Sequence, residues 1–98
     1  MADIYYRLEL SPAAKRDLKK IPRKIQREIV QKHLVAICEN PFGNSKKLFG
    51  TLKGERTYSF GHRPEYRIIY FVDKGLITVT IIGTRENLYK RAKKRKHR

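Results

Sequence analysis

Cysteine and acidic side chains are what this chain has least of, and each scarcity excludes something. Cys38 is the single cysteine in 98 residues, which rules out an internal disulfide and a cysteine-rich metal site. It sits in an apolar helical stretch, where a small buried side chain is expected, in an ordinary reducing cytoplasm. Asp and Glu number nine against 24 Lys and Arg, a formal charge of +15. That is more than solubility requires and of the sign that seeks polyanions, so nucleic acid, the ribosome or an acidic protein is the implied partner class. No apolar run approaches the length of a membrane span, and the start, with Asp3 and Glu9, lacks the layout of a signal peptide. A cytoplasmic location without a membrane partner is therefore expected. No internal repeat is visible.

The length fits one domain with a single core. Residues 90–98 hold seven Lys and Arg and no acid, whereas residues 1–89 still carry 17 basic against nine acidic side chains. The reading is one domain over 1–89 with a basic tail over 90–98. Alternation of Ile4, Tyr6, Leu8 and Leu10 predicts a strand over 3–10. Ser11-Pro12 supplies a hydroxyl cap and a proline at the first helical position, opening a helix to about Lys20 with Ala14, Leu18 and Ile21 inward. Pro22 restarts the chain as a second helix to about Glu39, its inner stripe formed by Ile25, Ile29, Val30, Leu34 and Ile37. The stretch from Asn40 through Gly54 reads as an ordered loop anchored by Leu48, Phe49 and Leu52. Strands follow over 56–60, 66–72 and 76–82, the last two joined by Asp73-Lys74-Gly75, and residues 86–95 form a terminal helix. The expected fold is α+β: a small antiparallel sheet, made of the N-terminal strand and a three-strand meander, packed against a two-helix hairpin. Tyr66, Ile68, Tyr70 and Val72 are assigned to the helical face, and Arg67, Ile69 and Phe71 to the other.

Arg67 opens one apolar strand and Arg85 closes its neighbour, with Tyr89 one helical turn further on. Two guanidinium groups on a rigid sheet suit the gripping of phosphate, because the planar fork stays charged and donates paired hydrogen bonds. The alternative is two solvated strand ends.

In order, Asn40-Pro41, Lys46-Lys47-Leu48, Leu52-Lys53-Gly54, Tyr66-Arg67-Ile68-Ile69-Tyr70 and Gly83-Thr84-Arg85-Glu86-Asn87-Leu88-Tyr89 resemble the RelE/ParE superfamily of small toxins that are paired with antitoxins. For RelE-like members the resemblance implies a metal-independent endoribonuclease that cleaves messenger RNA in the ribosomal A site, with no cofactor. It also implies a cognate antitoxin, the ribosome and mRNA as partners. Position by position, Arg67 matches the arginine that contacts the scissile phosphate, Arg85 a second phosphate-binding arginine, and Tyr89 a tyrosine near the reacting nucleotide. The chain departs from the pattern at Thr57 and Ser59, where relatives carry basic residues, and at Thr84, where histidine is frequent. His62 and Arg63, on a longer hairpin, are candidates to restore charge.

Such a site works by positioning and by fixed cations that neutralise the transition state, so a conventional acid–base pair is not required. Tyr89 has two readings, a phenol activated by neighbouring cations or a surface for base stacking. Lys46, Lys47, Lys53, Lys90 and Arg91 are candidate RNA contacts, with a solvated loop or a solubilising tail as the alternative. Two other functions stay open: a ParE-like inhibitor of DNA gyrase, and an inactive nucleic-acid-binding relative. His33, within the second helix, is read as a packing or partner-facing residue.

Overall fold

The structure, a computed structural model, describes residues 6–48, 50 and 54–96, with backbone alone for 89 and 92–96. The expected strand positions 3–5, the loop anchors Phe49 and Leu52, and the candidate RNA contact Lys53 lie outside the described residues.

Strand β1 (Arg7–Leu10) leads into α1 (Pro12–Lys19). Ser11 caps this helix as its sequence predicts, its side-chain oxygen accepting from the Ala14 N–H at 3.1 Å. Gln26 reaches back to donate to the Ile21 carbonyl at 2.7 Å, closing the tight link between α1 and the next helix. That helix is α2 (Arg23–Glu28), which passes through a π-helical turn (Ile29–His33) into α3 (Leu34–Glu39) without a break. The π turn changes which side chains face the sheet. Ile29, His33 and Ile37 are buried, whereas Val30, expected inside, is 50% exposed. One residue of extra winding rotates the helix about its axis and replaces an apolar contact with a histidine.

The C-terminal end of the helix is pinned to the sheet. Asn40 Oδ1 accepts from the Gly43 N–H at 3.0 Å, and a side chain at 43 would collide with Asn40, its Cβ falling 2.2 Å from the amide nitrogen. The Tyr70 hydroxyl donates to the Pro41 carbonyl at 2.5 Å. Arg56, on the helical side of its strand, donates to Ser45 Oγ at 2.7 Å and lies 5.4 Å over the Phe42 ring. The segment expected as pure loop contributes a short strand, β2 (Lys46–Lys47), paired with β3 (Arg56–Phe60). The meander continues through β4 (Tyr66–Asp73) and β5 (Leu76–Thr84). Between them Lys74 and Gly75 both take positive φ, 51° and 81°, as a two-residue hairpin turn requires. Helix α4 (Arg85–Lys96) follows, so residues 90–96 of the expected tail continue a helix.

The sheet order is β1-β5-β4-β3-β2. It is mixed rather than antiparallel, because β1 runs parallel to β5. Alternation identifies a strand but carries no sign of its direction relative to a partner nearly seventy residues away. Where β1 stops, the first helix serves the same edge of β5. The Ser11 N–H donates to the Val79 carbonyl at 2.9 Å, and Asp17 Oδ2 accepts from the Ile82 N–H at 3.1 Å.

The core lies between helices and sheet. Ala14, Ile29 and Ile37 meet Ile68, Tyr70, Ile77 and Val79, all fully buried, and each large aliphatic side chain contributes about 1.5–3 kcal/mol by leaving water. Cys38 is partly buried against this cluster and burial pushes its thiol pKa up. The β4–β5 register shifts between Ile69 and Tyr70: Ile69 faces Ile81, and Tyr70 faces Val79. The extra residue, Thr80, donates its hydroxyl to the Ile69 carbonyl at 3.3 Å. Before this bulge Ile77 and Val79 point into the core, and after it Ile82 does. Ile81 and Gly83 thereby move to the opposite face.

Candidate functional site

That opposite face is built in rows set by strand register. Ser59 lies opposite Arg67, which lies opposite Gly83. The next row is Lys46, Thr57, Ile69 and Ile81. Arg67 thus stands on the central strand with a short and an absent side chain on either side, as its assignment away from the helices predicts.

Arg67 Nε donates to Glu65 Oε2 at 2.8 Å, and the two side chains are 26% and 31% exposed. The Arg85 N–H donates to the Glu65 carbonyl at 2.9 Å, joining the start of α4 to the start of β4. The Glu65 carboxyl is held below the usual glutamate range, first by the hydrogen bond from Arg67, against the opposing effect of burial, and then by the charges of Arg67, Arg85 and His62. Glu65 thus touches Arg67 through its side chain and the Arg85 backbone through its carbonyl.

Two open troughs meet at Glu65. One, of about 550 Å³, is lined by Asn44, Lys46, Thr57, Ser59 and Arg67. The other, of about 600 Å³, is lined by His62, Arg63, Thr84, Arg85 and Glu86. The expected charge-restoring residues His62 and Arg63 thus border the same trough as Arg85. Thr57, one of the two departures from the family pattern, is buried, and its hydroxyl has no hydrogen-bond partner among the described residues. Ser59, the other, is exposed.

The remaining expected residues divide. Lys46 shares the Arg67 face, while Lys47, by strand alternation, points to the face of Arg56. Lys90 and Arg91 line a third groove, with Asp17, Lys20 and Thr84, on the helical side of the sheet. Arg91 is engaged there, its Nη1 lying 3.2 Å from Asp17 Oδ2. The backbone of Tyr89 lies in α4 one turn beyond Arg85, and its side chain falls outside what is described. His33 is a core residue: its ring stacks on Phe60 at 3.8 Å between centroids, with Nδ1 and Nε2 each 2.8 Å from Tyr58 OH and Glu28 Oε2. Among the described residues no group of His, Cys, Asp and Glu is placed to hold a metal ion, and no helix is long and apolar enough to cross a membrane.

Sequence reasoning passed over Glu65. Its signal was nonetheless present, an acid two positions before Arg67 and so on the same strand face, in a chain with few acids.

Comparison with known proteins gives the same fold. The isolated Escherichia coli RelE toxin is 28% identical, with a TM-score of 0.64 over 92% of this chain and 97% of that one. The RelBE2 toxin–antitoxin complex of Mycobacterium tuberculosis contains a chain 24% identical, with a TM-score of 0.73 over 84% of this chain and all of that one. E. coli YafQ is 20% identical, with a TM-score of 0.62 over 86% and 98%. No curated protein sequence matches. The family described as the ParE toxin of type II toxin-antitoxin systems, parDE, matches residues 8–89. With the match spanning β1 through the first turn of α4, this chain belongs to that toxin family, within the RelE/ParE superfamily.

Proposed function

We propose that this toxin is a metal-independent endoribonuclease that arrests translation by cutting messenger RNA on the ribosome. The observation that carries the reading is Glu65, bonded to Arg67 through its side chain and to the Arg85 N–H through its carbonyl, where two open troughs meet, one lined by Arg67 and the other by His62, Arg63 and Arg85. In the proposed reaction the ribose 2′-hydroxyl attacks the adjacent phosphorus, the bond to the 5′-oxygen breaks, and a 2′,3′-cyclic phosphate remains. Arg67 and Arg85 take up the charge that develops on the non-bridging oxygens, where preorganised donors are worth most. Tyr89, one turn beyond Arg85, serves the flanking nucleotide by stacking or proton exchange. Lys46 tracks the RNA backbone along the first trough; Lys53, on the same approach in sequence, is assigned the same role.

RelE relatives have been captured as toxin–antitoxin complexes, which supports a cognate antitoxin as the physiological partner here. A patch this basic favours an acidic one. Action on the ribosome places the protein in the cytoplasm.

A second reading is a ParE-like inhibitor of DNA gyrase. It is favoured by the matching family description and by Thr57 and Ser59 in place of basic side chains. One experiment separates the two. Wild type and Arg67→Ala are expressed in cells, message 5′ ends are mapped, and gyrase supercoiling is assayed. Ribosome-phased ends seen only with wild type are the expected result; supercoiling defects without message cleavage would transfer the assignment to gyrase.

A further inference from the structure

Arg67 has a four-bond flexible stem and no side chain beside it able to hold its head. Its register partners are Ser59 and Gly83, and Glu65 is its one hydrogen-bonding partner among the described residues. The contact is made by Nε, the inner edge of the guanidinium. With Nε occupied, the two Nη groups remain as the outer edge that can donate paired parallel bonds to a phosphate, and Arg67 lines the trough that also holds Ser59 and Thr57. Resting on the proposed ribonuclease reading, we infer that Glu65 is a positioning residue: it grips the inner edge of Arg67 so that the outer edge faces the scissile phosphate.

Glu65 is itself well mounted for this. Its carbonyl accepts the Arg85 N–H at 2.9 Å, so the backbone that carries the clamp is tied to the backbone that carries the second arginine. The carboxylate stays ionised under the influence of Arg67, Arg85 and His62, so the clamp is set throughout the neutral range. Its charge has an opposite effect on simple attraction, since it removes one unit from a cationic site. Positioning and attraction therefore pull in different directions when Glu65 is changed, and this makes the proposal separable from a general electrostatic role.

The test compares wild type, Glu65→Ala and Glu65→Gln in steady-state cleavage of a message on purified ribosomes. Glu65→Ala should lower kcat about ten- to a hundredfold, the scale of a slight misplacement of a reacting group, with KM unchanged or lower because a negative charge has gone. Glu65→Gln keeps an oxygen acceptor for Nε–H and should recover most of the lost kcat. A Glu65→Ala protein that cuts faster than wild type would make Glu65 a competitor of the substrate and overturn the inference. So would unchanged kcat in Glu65→Ala, or a Glu65→Gln protein as slow as Glu65→Ala, which would mean a proton-transfer role. The Arg67 Nε–H resonance of the free protein is read in parallel: protected in wild type and Glu65→Gln and lost in Glu65→Ala if the clamp exists, indifferent to Glu65→Ala if it does not. Should wild type cut no message, the ribonuclease reading falls; this resonance, with binding of a 2′-O-methyl RNA oligonucleotide, still decides whether Glu65 orients Arg67.

Discussion

Arg67 owes its reach to what its neighbours lack. With Ser59 on one side and Gly83 on the other, the Arg67 side chain reaches the lining of the trough, where Glu65 meets it. Substitution of Arg67 by Ala removes a preorganised donor and should lower cleavage about a hundred- to a thousandfold, corresponding to roughly 2.7–4 kcal/mol of barrier; the measurement is single-turnover cleavage of ribosome-bound message. The exposed Ser59 invites the opposite experiment. A lysine there points along the Arg67 face and should tighten RNA binding, steepening the dependence of log K on log salt by about 0.7, the increment for one single-strand phosphate contact. An unchanged slope would show that the RNA path does not cross Ser59.

Two irregularities decide what the elements present, a π turn in the long helix and a bulge in β5. The π turn carries His33 into the core, where it is 4% exposed and bonded at both ring nitrogens. With Nε2 against the Glu28 carboxylate and Nδ1 against the Tyr58 hydroxyl, both ring nitrogens have partners and the ring ties helix to sheet. His33→Ala empties that space and strands the Tyr58 hydroxyl, so thermal or urea unfolding should show a loss of about 2–4 kcal/mol. Acid should loosen the same tie. The Glu28 carboxyl is held below its ordinary range, first by the hydrogen bond from His33. A depressed carboxylate contributes stability above the unfolded-state value of about 4.3 and loses it as pH falls through the lower folded value. The melting temperature should therefore decline from about pH 4.3 downward, less steeply in Glu28→Gln, and equal declines in the two proteins would remove Glu28 from the account.

At the scale of the whole molecule the excess of positive charge is distributed over separate faces. Lys46, Arg67, Arg85, His62 and Arg63 border the two troughs, Arg56 is spent on holding the loop after α3, and Arg91 is held by Asp17 in the groove beneath α4. A net charge of +15 therefore overstates what one RNA strand meets. Binding of a single-stranded RNA oligonucleotide, measured from low to high salt, should weaken with a slope of about −0.7 per phosphate actually contacted. That slope counts the cations at work, and a slope near zero would mean that the troughs do not carry the strand.

Element order, the helical cap at Ser11, the hairpin at Lys74-Gly75 and the face of Arg67 follow from residue identity and local periodicity, because each depends on neighbours a few positions away. The parallel placement of β1 and the outward turn of Val30 do not. Uninterrupted alternation from Ile77 through Val79 to Ile81 would carry Gly83 onto the core face. The single extra residue at Thr80 reverses that parity, and a bulge is chosen by the pairing of two strands, which no run of residues in one strand specifies. Composition made this a basic, phosphate-seeking domain, but strand pairing decided which side chains share the face of Arg67.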